Sequence, residues 1–456
     1  MKMLYRVVLK GDPHDPRQAR WELFSALSVW SCLAMLITAV VIARAAGASL
    51  FLSHYGGRAL AVVYVTVGLA VVAIIYGLSW ITHGIRYDRV AIGTILILGG
   101  GTAGFRLMIP SFTAGGSDWA YCALYIFLET FALVTTMQVW TLANSLFSSA
   151  QARRLYVFIA TGGIIGSLLG GLTTRSCGSL PTLDLLWLVV GLCPPMILAI
   201  RVFANQAMQL SRLVVKRPAF AVSASGDWSN AGDAIVEWIR HPVLRQRPVL
   251  RLVTRLSLLA FLSAFTTNLI DFYFKTYADE QFHGDTAGLT RFFGNFYLSV
   301  GFVSLLMQLV VTSAIVQRSR IFIGLALTPA ILAAGTIWNL FAVSLTRATV
   351  LKLIDSGFAH SVHRSCVELL YTPLPANLTG EIKLVSEGVA GRAGLVMSGL
   401  TLWFLAPSLN PARTLALVAC LLCGWFVALL ILKRTYRTAV TDTQDPIARP
   451  TWDRAA

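Results

Sequence analysis

Apolar stretches close to twenty residues long recur about twelve times along this chain, and twenty residues is the length an α-helix needs to cross the hydrocarbon core of a bilayer. They fall near 21 to 43, 59 to 80, 90 to 109, 119 to 142, 155 to 173, 183 to 204, 252 to 274, 292 to 315, 321 to 340, 341 to 359, 384 to 406 and 412 to 432. Inside lipid every backbone N–H and C=O must find its partner within the segment, so spans of this kind fold as helices. With 56% hydrophobic and 13% charged residues over 456 positions, and a mean hydropathy of +0.70, the chain lies far from the composition of a soluble domain. The expectation is an all-α polytopic membrane protein. A polar loop at 205 to 250 separates the spans into two sets of six, predicting one bundle over 1–204, a cytoplasmic linker, and a second bundle with its tail over 251–456. Two-bundle secondary carriers are arranged this way, with their ligand site near mid-membrane.

The formal net charge of +16 is explained by where the basic residues sit. Alternate turns hold Lys2, Arg6, Lys10, Arg17 and Arg20, then Arg86 and Arg89, Arg153 and Arg154, the central loop, Arg318 and Arg320, Lys383 and Arg392, and Lys433, Arg434 and Arg437. The intervening turns hold fewer, chiefly Arg58, Arg175, Arg291 and Arg413. A positive-inside bias of this kind predicts that both termini and the central loop face the cytoplasm, and it requires no nucleic acid partner. The first span follows a polar segment with Asp12, Asp15 and Glu22, which reads as an uncleaved helix and not as a signal peptide. Within the linker, Ile235, Val236, Trp238 and Ile239 stand among basic residues, the pattern of a short amphipathic segment on a membrane surface.

Ionisable residues inside apolar spans are costly, by several kcal/mol each, so they mark candidate function. Glu129 lies about ten residues into WAYCALYIFLETFALVTTMQVW, and Tyr125, Glu129, Thr136 and Trp140 share one helical face able to line a polar path. In LSAFTTNLIDFYFKTYADEQF, Asn268, Asp271 and Lys275 stack an amide, a carboxylate and an ammonium on one face. Lys275 either neutralises Asp271 from the interface or takes part in binding or gating. Lys352 and Asp355 are one turn apart and can pair. Arg44 and Arg106 stand at the ends of the first and third spans, where each either snorkels outward or faces a cavity. Gly162, Gly166 and Gly170 recur every four residues, a pattern that lets a neighbouring helix approach closely. Pro194 and Pro195 interrupt the sixth span and Pro329 the ninth, as packed kinks or as gating kinks.

His360, His363 and Cys366 recur at i, i+3 and i+6, on one helical side, but no fourth ligand accompanies them, so no metal or other cofactor is expected. The seven cysteines, Cys420 and Cys423 included, lie mostly in spans as small apolar residues. Asn377 to Thr379 form a glycosylation sequon on the cytoplasmic side, where it has no meaning. Phosphate-loop, zinc-helix and nucleophile-elbow motifs do not occur, so the chain is not expected to be an enzyme and any energy comes from a gradient or from exchange.

Three blocks of this sequence resemble the nucleotide transporter family, the ATP/ADP translocases of plastids and intracellular bacteria, with free-living bacterial relatives. The first, ETFALVTTMQVWTLANSLFSSAQARRLYVFIATGGIIGSLLGG, is similar to the family's acidic fourth span, its basic turn and its glycine-rich helix, and places Glu129 at the family's functional glutamate. The second, TNLIDFYFKTYADEQF, matches an Asn-Leu-Val-acid segment with a lysine one turn on, at Asp271 and Lys275. The third, RSCVELLYTPLPANLTGEIKLVSEGVAGRAG, matches at Glu368, Tyr371, Pro373, Lys383, Gly391 and Arg392, with Val367 where the family has a lysine. The family's charged residues at the outer end of the first span are represented by Arg44, without an accompanying Asp.

The resemblance implies a major-facilitator-type carrier of about twelve helices in a bacterial inner membrane, working as a nucleotide-binding antiporter that moves ATP or ADP by alternating access. It implies an anionic small-molecule substrate met by Arg44, Lys275, Lys383 and Arg392, with Glu129, Asn268, Asp271 and Glu368 as further binding or gating residues and the lipid bilayer as surroundings. Rival readings are a permease of the same type for another solute, a non-transporting membrane receptor or scaffold that uses the linker or tail, and a membrane enzyme built on the His360 segment.

Overall fold

The structure is a computed structural model that describes residues 16–81, 85, 87–146, 149–178, 180–213, 247–308, 321–358, 363, 366, 367, 370, 371, 382–405 and 410–444. The middle of the linker with its amphipathic stretch, Glu368, His360 and the sequon lie outside the described residues. The described chain forms α1 (Pro16–Tyr55), α2 (Leu60–Ile81), α3 (Tyr87–Ala114), α4 (Trp119–Leu146), α5 (Ser149–Ser176), α6 (Leu185–Leu213), α7 (Arg247–Phe282), α8 (Thr286–Met307), α9 (Ile321–Phe341) and α10 (Leu345–Phe358). A π-helical turn at Leu384–Ala390 then leads into α11 (Gly391–Leu405), and α12 (Pro411–Gln444) closes the order. Among the described residues, ten of these helices are long and apolar enough to cross a membrane, all but α5 and α10.

Local chemistry sets the helix ends. Gly56 at φ 71° stops α1 by donating its N–H back to Leu52 O at 2.9 Å, and Gly284 at φ 84° follows the end of α7. Both lie in the left-handed region, where a side chain would be strained. At the starts of α8 and α12, Asp285 Oδ1 accepts from the Gly288 N–H and Asn410 Oδ1 from the Arg413 N–H, satisfying donors that the helices leave over. The first span outruns its sequence-based limit: α1 continues through Arg44 to Tyr55, and α3 continues through Arg106 to Ala114 with Pro110 inside it. Both arginines therefore sit within helices and not at their ends. The misplacement has a physical cause, because a hydropathy reading takes a cation as a boundary whether or not a partner neutralises it.

The chain groups into two compact units. Unit 1 gathers Met1–Gly56, Ala73–Ser225 and Asp279–Leu305, and unit 2 gathers Gly57–Val72, Gly226–Ala278 and Leu306–Ala456. Within unit 1, α1 is packed by α4, α5 and α6, and is the most buried of the spans. The glycine repeat of α5 makes its closest approach to α1. A Cβ on Gly162 would stand 2.6 Å from Trp30 O, one on Gly170 2.9 Å from Thr38 O, and one on Gly166 would press on Ala34 O. Thr38 Oγ1 donates across this crossing to Gly166 O at 3.1 Å, and Trp30 Nε1 to Thr161 Oγ1 at 3.1 Å. Small residues admit the backbone, and van der Waals contact with a few interhelical hydrogen bonds holds it, as membrane interiors require. The same helix packs on α8: a Cβ on Gly294 would lie 2.9 Å from Arg175 N, and one on Gly301 2.9 Å from Leu168 Cδ2. In unit 2, α9 packs on α10 and α12, and a Cβ on Gly399 of α11 would lie 2.8 Å from Val65 N of α2.

Candidate functional site

Among the described residues of unit 1, Arg44 with Glu129 and Arg106 with Asp184 form charged pairs. Arg44 Nε donates to Glu129 Oε2 at 3.1 Å, with side chains 31% and 15% exposed. The register of α1 on α4 brings them together: Phe51 stacks on Tyr125 at 4.9 Å between ring centroids, and a Cβ on Gly47 of α1 would stand 3.1 Å from Leu128 Cδ1. The face Tyr125, Glu129, Thr136, Trp140 is therefore not one polar path. Tyr125 belongs to the core, Thr136 Oγ1 donates to Ala132 O of its own helix, and Trp140 meets Tyr156 edge-on. Arg106 holds Asp184 through both Nε and Nη2, so it is paired and does not snorkel.

Unit 2 carries a larger assembly, built on one carboxylate. Asp271 of α7 receives Lys275 Nζ on Oδ2 at 2.7 Å, one turn further along the same helix. Tyr64 of α2 donates its hydroxyl to that oxygen at 2.8 Å, and its ring lies 5.9 Å from Lys275 Nζ. On the other oxygen, Oδ1, sits Lys352 Nζ of α10 at 3.3 Å. Lys352 is shared, for its Nζ also reaches Asp355 Oδ2 at 3.0 Å, and Asp355 Oδ1 accepts from Thr267 Oγ1 of α7 at 3.0 Å. Negative and positive groups thus alternate through Lys275, Asp271, Lys352 and Asp355, two of each sign, so the assembly is formally neutral. Burying a charge beside its counterion and filling its remaining hydrogen-bonding positions is what makes intramembrane charge tolerable. Exposure is lowest for the Asp355 side chain at 2%, is 7% for Lys275 and 10% for Lys352, and is highest for Asp271 at 19%. Asp271 is thus the less enclosed of the two carboxylates.

The remaining sequence candidates spread outward from this assembly. Asn268, one turn before Asp271, turns to α11 and donates Nδ2 to Ser398 Oγ. Lys383 Nζ lies 5.1 Å from the centroid of the Tyr371 ring, whose hydroxyl is 2.7 Å from Ser386 Oγ, and the π-helical turn begins one residue later. Arg392 stands in the first turn of α11 with its Nε buried. Asn268, Asp271 and Lys275 share a helical side in sequence, yet the amide and the carboxylate are used by different neighbours. His363 stands edge-on to Trp425 at 5.6 Å and Cys366 is buried; no group of three metal-binding side chains occurs among the described residues. Sequence reasoning missed Tyr64 and the bond from Lys352 to Asp271. A lysine inside the tenth span was the signal for the second; a tyrosine in an apolar span gives none.

Residues 102–367 match a family model described as TLC ATP/ADP transporter. ADP,ATP carrier protein 3 of Rickettsia typhi (strain ATCC VR-144 / Wilmington) is 23% identical over 323 residues, 61% of each chain, and that of Rickettsia prowazekii (strain Madrid E) is 23% identical over 320 residues, again 61% of each. The chain thus matches about three-fifths of the length of these relatives. Two solved structures share the fold at 14% identity. A bacterial homologue of the iron transporter ferroportin in an inward-facing state has a TM-score of 0.59, covering 91% of this chain and 98% of that one. The major facilitator superfamily proton:xylose symporter XylE has a TM-score of 0.61, covering 91% and 96%. The architecture is the major-facilitator one, in a multi-pass integral membrane protein.

Proposed function

The chain belongs to the TLC ATP/ADP transporter family, and from that premise we propose that it is a secondary carrier moving a nucleotide or a related organic phosphate across the membrane by alternating access, in the exchange mode of an antiporter. The observation that carries the proposal is the Asp271 assembly, which keeps two lysine ammonium groups paired within an apolar bundle. Phosphoryl oxygens compete for such donors because charge-assisted hydrogen bonds to a dianionic group are at least as strong as those to a carboxylate. Arg44, held by Glu129, offers the same competition in unit 1, and Lys383 and Arg392 supply further positive charge. Glu129 and Asp271 take the cations back when cargo leaves, so an empty carrier need not reorient with naked charge in the bilayer, a step that costs several kcal/mol. Exchange follows when reorientation is fastest with a phosphate aboard. Asn268 and Glu368 complete the set of residues assigned to binding or gating.

The basic bias of alternate turns supports a cytoplasmic location for both termini, in a bacterial inner membrane. A cysteine introduced at Gly284 should react with an impermeant thiol reagent in intact cells and one at Ser223 should not; labelling at Ser223 refutes the orientation. For function, the purified protein is reconstituted into proteoliposomes with and without internal ADP. The expected result is uptake of labelled ATP that rises on internal loading. Absence of flux with every nucleotide and organic phosphate tried favours a receptor or scaffold, and flux of an uncharged solute favours a permease for another cargo.

A further inference from the structure

Lys352 lies outside the three blocks that suggested the family, yet it occupies the centre of the unit 2 assembly. Its ammonium bridges Asp355 at 3.0 Å and Asp271 at 3.3 Å, while Lys275 holds the other oxygen of Asp271 at 2.7 Å. The two lysines, from α10 and α7, are therefore spaced by the two oxygens of a single carboxylate. A phosphoryl group presents two oxygens at a similar spacing, with more charge to share between them. We propose that Lys275 and Lys352 together form a seat for one phosphoryl group of the cargo, that the Asp271 carboxylate fills this seat in the empty protein, and that Asp355 keeps Lys352 charged and in place while the seat changes occupant. The proposal rests on the anionic-cargo reading above and adds Lys352 as a ligand and Asp355 as a positioning residue.

Three features support this division of labour. Asp355 has both oxygens engaged, by Lys352 and by Thr267, and is almost fully buried, as a fixed counterion should be. Asp271 is the more exposed carboxylate, so an entering anion meets it first. Its third donor is the Tyr64 hydroxyl, a neutral group that needs no replacement counter-charge when the carboxylate swings away. Once a phosphoryl group has displaced Asp271, Lys352 still has Asp355, and no cation is left alone in the bundle.

The seat makes a prediction of unusual sign: removing its internal occupant should strengthen phosphate binding while weakening the protein itself. The full chain in a maltoside detergent is compared as wild type, Asp271→Asn, Asp271→Asn with Lys352→Gln, and Lys352→Arg, by thermal shift and by equilibrium binding with ADP, pyrophosphate and adenosine. Asp271→Asn should melt lower without ligand, gain more stabilisation from ADP and pyrophosphate than wild type, and bind pyrophosphate about tenfold tighter. Adding Lys352→Gln should abolish that gain, Lys352→Arg alone should bind within about threefold of wild type, and adenosine should act on none of them. Equal or weaker pyrophosphate binding by Asp271→Asn overturns the seat, and a gain that survives Lys352→Gln overturns the role of Lys352. Should Asp271→Asn fail to fold, the neutral pair Lys352→Gln with Asp355→Asn decides, since about tenfold weaker ADP and pyrophosphate binding is required and unchanged binding overturns the proposal. A response to pyrophosphate with none to ADP refutes the nucleotide reading and leaves the seat standing.

Discussion

The two units neutralise charge inside the membrane in different ways. Unit 1 sets Arg44 against Glu129 across one helix crossing, at 3.1 Å and with the arginine a third exposed. Unit 2 gathers Lys275, Asp271, Lys352 and Asp355 from two helices, adds Tyr64 from a third, and buries the far end almost completely. A partly exposed pair separates at small cost wherever each partner can find hydration, whereas taking one member out of a buried network strands the others. In the proposed transport cycle the Arg44–Glu129 pair is thus the one suited to opening, and the Asp271 assembly the one suited to holding α2, α7 and α10 together until the proposed anionic cargo competes for its lysines.

The largest effect should come from breaking the network. Asp271→Asn takes a carboxylate from between Lys275 and Lys352 and should cost about 3–5 kcal/mol, seen as a lower melting temperature and less folded protein in the membrane. Neutralising Lys275 in the same chain should recover about 1–3 kcal/mol of that loss. Strict additivity of the two substitutions would show that the residues do not interact. The pair in unit 1 should behave otherwise: Glu129→Gln retains shape and most hydrogen bonding, so it should stop or greatly slow flux at a stability cost of only about 1 kcal/mol. Retained ligand affinity with lost flux would assign Glu129 to the conformational cycle. Normal transport would make it structural, and failure to fold would erase the contrast between the units.

Two milder substitutions sharpen the comparison. Tyr64→Phe deletes one neutral donor to Asp271 and should cost about 1 kcal/mol while sparing the lysines, read by the same thermal assay. A loss as large as that of Asp271→Asn would show that Tyr64 carries the network. Gly47→Ala, whose new methyl group would meet the flexible end of Leu128 at 3.1 Å, should widen the α1–α4 crossing slightly. A stability change of a few tenths of a kcal/mol is expected, with a measurable change in flux if the Arg44–Glu129 spacing matters.

From the sequence alone came the features that depend on short range and on solvent. Apolar runs of twenty residues require helices, because no other backbone arrangement of a single segment satisfies its own hydrogen bonds in lipid. The pairing of Asp271 with Lys275, and of Lys352 with Asp355, was legible because helical periodicity alone brings residues three and four apart together. Gly162, Gly166 and Gly170 announced a close crossing for the same reason, though not its partner, α1. Tertiary structure decided everything that depends on which helices meet. Arg44 finds Glu129 85 positions away, and Tyr64 finds Asp271 207 positions away. No periodicity spans such distances, since the helices pair through surface shape and not through order along the chain. The same limit hid the true length of α1: Arg44 ends an apolar run in sequence, but a carboxylate supplied by another helix, Glu129, lets the backbone continue past it.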